Sequence, residues 1–134
     1  MNKTAIHSFT LGITSIIMAV CYKLNVMDFS FLGMEEGSES GYVLLWAHVS
    51  LLLGGLVTIG TLPLLSTHVQ FRKISAVLLL FVAAACLLIQ GPPIFWWTLV
   101  GIGRPAYLLM DMLHVTVLVL SVRLIVVITA HRTN

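Results

Sequence analysis

Four long apolar runs, separated by short polar breaks, leave this chain few ways to fold. They lie at about residues 5–23, 42–65, 74–90 and 105–129. Each is near the ~20 residues that a helix needs to cross the hydrocarbon of a bilayer. Composition supports the same reading. The 134 residues are 59% apolar and only 9% charged, with a mean hydropathy of +1.05, whereas soluble domains carry about 25% charged residues. The expected fold is an all-α integral membrane protein: an antiparallel four-transmembrane-helix bundle, one domain over 1–134, with a short interfacial half-helix before the fourth span.

The first run follows Met1-Asn-Lys-Thr and extends from Ala5 to Tyr22. A basic start before an apolar core is also the pattern of a signal peptide. The run is long, however, no A-x-A site follows, and Val20 is too bulky to precede Cys21 at a lipoprotein cleavage site. It therefore reads as an uncleaved first span. Ser8, Gly12, Ser15 and Ala19 form a small-residue seam along it, which lets another helix come close. Residues 24–41 hold Asp28, Glu35, Glu36, Glu39 and three glycines, and predict an outer loop. In the second span Ser50, Gly54 and Thr58 repeat the small-residue spacing, Gly55 and Gly60 thin the helix further, and Pro63 predicts a slight kink near its end.

A connection from Ser66 to Lys73 carries His68, Arg72 and Lys73. The third span is expected to stop at Gly91-Pro92-Pro93. Beyond it, Ile94 to Gly103 is too apolar for a solvated loop and too short to span. With Trp96 and Trp97 it predicts that 91–104 lies in the interface. Lys3, Arg72, Lys73, Arg123 and Arg132 mark the N-terminus, the middle connection and the C-terminus as cytoplasmic. Lys23 and Arg104 oppose that rule, although Lys23 can snorkel. The expected location is the cytoplasmic (inner) membrane, multi-pass, with both termini inside.

The fourth run holds the chain's unusual chemistry. Between Arg104 and Arg123 it carries Asp111 and His114, and a carboxylate in hydrocarbon normally faces the protein interior and has a partner there. Tyr107, Asp111, His114 and Ser121 share one helical stripe. The start of this run resembles the start of the second. Gly41-Tyr-Val-Leu-Leu-Trp-Ala-His-Val-Ser50 parallels Ala106-Tyr-Leu-Leu-Met-Asp-Met-Leu-His-Val-Thr116, with one extra residue in the second copy. A duplicated hairpin would relate the halves by an axis along the membrane normal. With Tyr42 and Tyr107 at the outer interface, His48 and His114 lie ~9–10 Å inside it at 1.5 Å per residue. At that common depth the two imidazoles are expected to face each other.

Several functions follow from that constellation. The leading one is a non-enzymatic accessory or assembly subunit of a larger membrane complex, as a homo-oligomer or with other membrane subunits, with Asp111 and the histidines as polar glue between helices. The alternative is a haem-b or quinone-linked electron-transfer subunit. His48 and His114 would be axial ligands, Gly55 would make room for the ring, and Arg104 would meet the propionates. A metal site of His48, Asp111 and His114 is a further candidate, as is a small proton- or ion-coupled transporter using Asp111. A net charge of +2 without a basic patch excludes nucleic acid as a partner. Two cysteines make no disulfide framework, and Cys21 and Cys86 read as small apolar filler. The chain has no Walker A loop, G-x-S-x-G or H-E-x-x-H motif, so a soluble-type enzyme is excluded.

Overall fold

The computed structural model describes the backbone of residues 3–24, 36–100 and 105–130, and the side chains of 3–24, 45–94 and 108–130. The described residues form four α-helices: α1 (Lys3–Lys23), α2 (Glu36–Thr61), α3 (Val69–Val100) and α4 (Pro105–Ala130). A 3-10 turn, Leu62–Leu65, closes α2. No strand occurs among the described residues. The segments Lys3–Lys23, Leu45–Leu65, Val69–Ile94 and Leu108–Ala130 are each long and apolar enough to cross a membrane.

The inward face of each helix follows from residue spacing. On α1 the buried positions include Thr4, Ser8, Leu11, Ser15, Met18 and Tyr22; on α4 they are Met110, His114, Val117, Ser121, Leu124 and Ile128. Steps of four and three keep a side on its neighbour through the length of a helix, as in a coiled-coil seam. Many of these inward residues are polar, whereas large side chains such as Phe81, Leu88 and Ile59 point outward. The interior remains largely apolar, but so many exposed large apolar side chains depart from the surface of a water-soluble bundle.

The closest approach is between α1 and α2. A β-carbon placed on Gly12 would collide with the Thr58 hydroxyl, and one on Gly54 would lie 2.9 Å from the Gly12 carbonyl oxygen. Only hydrogen at these positions permits the crossing, so the small-residue seams read from the sequence meet each other here. One turn further along, Ser8 Oγ and Thr61 Oγ1 are 2.6 Å apart. Thr61 already donates its proton to the Val57 carbonyl at 2.7 Å, so Ser8 is the donor between them. The other helix pairs with extensive contact are α3 with α4, α1 with α4 and α2 with α3. Ser75 hydrogen-bonds the Gly60 carbonyl across that last pair.

Three boundaries differ from the sequence expectation. Helix α2 begins at Glu36, so residues 36–41 are helical rather than part of a loop. Acidic residue types are favoured in a first helical turn, and Glu36 and Glu39 stand there. The middle connection shrinks because α3 begins at Val69, which puts Arg72 and Lys73 inside the helix. Most instructive is the third: α3 does not stop at Gly91-Pro92-Pro93 but continues to Val100. No separate half-helix therefore exists over 91–100; that segment is the end of α3. Each proline removes one N–H and crowds the carbonyl four residues back, but neighbouring groups accommodate such losses in membrane-type helices. Gly91, which has open space where a β-carbon would stand, relieves the crowding that precedes a proline. Pro63 does not kink a continuing helix but initiates the 3-10 turn that ends the second span.

Candidate functional site

The polar residues of greatest interest gather where the end of α1 meets the first membrane-length turns of α2 and α4. Tyr22, in the last turn of α1, places its hydroxyl 2.7 Å from Nε2 of His114. Both side chains are essentially sealed, at 1% and 0% exposure. The two rings meet edge to face with centroids 6.0 Å apart. Trp46 of α2 closes the other side of the imidazole, also edge-on, at 6.1 Å. One imidazole thus ties three helices together.

Three buried side-chain atoms, Ser15 Oγ, His114 Nδ1 and Gln90 Oε1, have no hydrogen-bond partner among the described residues. Gln90 is itself fully buried, and its Nε2 reaches Ser50 Oγ at 3.5 Å, a long contact. A neutral imidazole has one donor and one acceptor nitrogen. If the Tyr22 hydroxyl donates to Nε2, Nδ1 keeps the proton; if Nε2 donates, Nδ1 is a bare acceptor. Either way an unsatisfied buried polar atom costs ~1–3 kcal/mol. Deeper along the same interior, Cys86 of α3 and Ser121 of α4 are both fully buried, and Ser121 donates to the Val117 carbonyl of its own helix. Both cysteines are free.

The sequence-derived site residues divide sharply. His114 and Ser121 lie on the inward stripe of α4, as expected, and Asp111 is half-buried at its edge. His48 is exposed on the outer face of α2, in a groove lined also by Val49, Leu51, Leu52, Gly55, Leu56 and Ile59. The expected face-to-face pair of imidazoles is therefore not formed within the chain. A haem does not fit beside His114 either: the ring has no exposed surface, and Tyr22 holds its Nε2. Gly55 does make room next to His48, but toward the outside of the bundle. Among the described residues no three His, Cys, Asp or Glu side chains gather as metal ligands, which removes the His48–Asp111–His114 set as a site of one chain. Arg104 lies outside the described residues, as does the side chain of Tyr107.

The two histidines also differ by one residue in their spacing from the preceding tyrosine. His48 is six positions after Tyr42 and His114 seven after Tyr107. One residue of α-helix is a turn of ~100°, so helices aligned on their tyrosines must aim the two imidazoles at different neighbours. Matching depth did not imply matching direction. Sequence reasoning missed Tyr22, Trp46 and Gln90. Tyr22 was available, because it continues the α1 seam seven residues past Ser15. Gln90 carried its own signal, as an amide inside an apolar run. No protein-family model, curated protein or solved structure matches this chain.

Proposed function

We propose that this chain is a multi-pass membrane protein, an antiparallel four-helix bundle that serves as an accessory or assembly subunit of a larger membrane complex. Contacts such as Ser8 with Thr61 and Gly12 with Thr58, where one number rises as the other falls, support opposite directions for α1 and α2. Ser50 with Gln90 and Ser75 with Gly60 support the same for α2 and α3. The apolar exterior supports insertion in lipid, since exposed patches of this extent are not tolerated in water. With both termini cytoplasmic, the Tyr22–His114 end is the extracytoplasmic one.

The observation that carries the reading is the outer face of α2. Ionisable side chains within spans almost always face protein or a water-filled cavity. His48 instead lies outward among leucines, with Gly55 two turns along the same face. Such a surface suits another helix better than lipid. Inside, the hydroxyl, amide and imidazole groups are engaged in joining one helix to another, which is the work of a rigid docking block. The test is native electrophoresis of a tagged chain released from its own membranes by a mild detergent. The expected result is migration with an assembly well above the 14.7 kDa of one chain; migration as a single copy overturns the reading.

A further inference from the structure

We infer that the outer face of α4 docks a membrane-spanning helix of a different protein, one that carries an aspartate or glutamate at mid-depth to meet Arg123. The inference rests on the accessory-subunit reading and goes beyond it by giving a contact face on α4 and the chemistry of its partner.

The first observation is the depth of Arg123. Every other charged residue of the four apolar segments lies in the first or last five positions of its segment: Lys3, Lys23, Arg72, Lys73 and Asp111. Arg123 is seven residues short of the end of α4 at Ala130. Helices α3 and α4 are in extensive contact with only residues 101–104 between them, so α4 runs back beside α3. It therefore also runs opposite to α1, since α1 and α3 each oppose α2. The hydrogen bond between Tyr22 and His114 fixes the level of α4 against α1. Nine residues beyond His114 is Arg123, and nine before Tyr22 is Ile13, the midpoint of Lys3–Lys23. Arg123 thus stands ~15 Å from the level of either end of α1 at 1.5 Å per residue, the middle of a hydrocarbon layer ~30 Å thick. Its side chain leaves the backbone tilted toward the start of α4, away from Ala130. Snorkelling, the usual escape of a long cation near the end of a span, is poorly placed here.

The second observation is what surrounds it. Arg123 is exposed, and among the described residues it has no hydrogen-bond or ion-pair partner. It flanks a stripe of exposed valines, Val115, Val119, Val122 and Val126, at steps of four, three and four. That is the spacing of a helix–helix seam. Valine in a helix keeps to one strongly preferred rotamer, so it has little freedom to lose on contact. The outward residues of α3 are instead large: Phe71, Ile74, Leu78, Phe81 and Leu88.

The partner's chemistry follows from the guanidinium, a cation with five donors and no acceptor. Inside a membrane such a group pairs with an opposite charge, and a carboxylate can accept from it through two parallel bonds. A second copy of this chain carries no carboxylate at that depth. Of its five acidic residues, Asp28, Glu35, Glu36 and Glu39 precede the apolar segment Leu45–Leu65. The fifth, Asp111, is twelve residues from Arg123, ~18 Å along α4. The carboxylate must come from another protein's span.

A photoreactive residue tests this in native membranes. Placed at Val122, it should give one protein adduct whose captured apolar segment holds an Asp or Glu near its middle. Placed at Leu78 on α3, also exposed, it should give none. Arg123→Leu should cut the Val122 adduct by roughly tenfold or more, as loss of one member of a desolvated charge pair does. Arg123→Lys should keep much more of it. Arg123 is exposed, so neither change should alter the monomer's helix content or its unfolding in micelles. Arg123→Glu should abolish the adduct, and Lys in place of the captured acidic residue should restore it. Adducts with lipid alone overturn the inference, as does an adduct indifferent to Arg123→Leu or one whose captured segment lacks a carboxylate. So does an adduct between two copies of this chain, which leaves the accessory reading standing. The absence of any protein adduct also overturns it, and together with single-copy migration on native gels overturns both.

Discussion

Gly54 and Gly55 are adjacent in sequence and live in opposite surroundings. Gly54 touches α1, where a β-carbon would lie 2.9 Å from both the Gly12 carbonyl oxygen and an Ile16 side-chain carbon; the same atom on Gly55 would meet nothing. The inner face of α2 also carries Ser50 and Thr61, both engaged with other helices, whereas the outer face carries His48 among leucines. The comparison teaches that small and polar residues in an apolar chain have two separate uses. Lipid tails are as apolar as leucine, so helices gain little from hiding leucine from them. What holds such a bundle is close backbone approach and hydrogen bonding. Gly55 opens the outer face to such an approach, whereas at Gly54 the approach is already made within the chain.

The inner face should break most easily. Gly54→Leu forces a side chain into the α1 backbone and should cost at least ~3 kcal/mol, the upper part of the overpacking range. Reversible unfolding in mixed micelles measures it. Wild-type stability in that variant would mean that α1 and α2 do not approach as closely as the Gly12–Gly54 contact requires.

Next in size is the Tyr22–His114 contact. Tyr22→Phe keeps the ring and removes the hydroxyl, leaving Nε2 buried without its partner, and should cost ~1–2 kcal/mol in the same assay. Replacing both partners is a sharper test. Tyr22→Phe with His114→Leu leaves no orphaned nitrogen, so it should cost less than the two single changes added together. Strict additivity would show that the 2.7 Å contact contributes nothing. Ser8→Ala should cost only ~0.6 kcal/mol, because Thr61 retains its own bond to the Val57 carbonyl. A loss as large as that of Gly54→Leu would make Ser8 more than a supporting contact.

Much of this was legible in the chain. Four helices long and apolar enough to cross a membrane follow from apolar length, and the crossing of α1 on α2 from two matching runs of small residues, which let helix backbones come close. The end of α3 was not legible. Gly91-Pro92-Pro93 is a stop signal in water, where freed carbonyls and an extended chain are both solvated, but not a decisive one in a membrane-type helix. The direction of His48 was hidden for a different reason. Depth along a helix can be counted from a tyrosine, whereas azimuth depends on which helix stands next door. A one-residue difference between Tyr42–His48 and Tyr107–His114 turns the side chain by more than a quarter of a circle. Trp46 beside His114 could not be read at all, since it depends on how three helices come together.

The smallest expected effect on the bundle itself is the most discriminating. Gly55→Leu places a side chain where a β-carbon meets nothing within 4 Å, and it replaces a poor helix former by a good one. Unfolding of the monomer in micelles should therefore change by less than ~0.5 kcal/mol, or rise slightly. If stability instead falls as it does for Gly54→Leu, the outer face of α2 is packed against this same chain, and the contrast between the two glycines disappears. If stability holds while assembly in the membrane is lost, the two residues have been separated: one holds the chain together, and the other leaves room for a neighbour. Only that second pattern makes the open space at Gly55 a property of an interface rather than of a loosely filled surface.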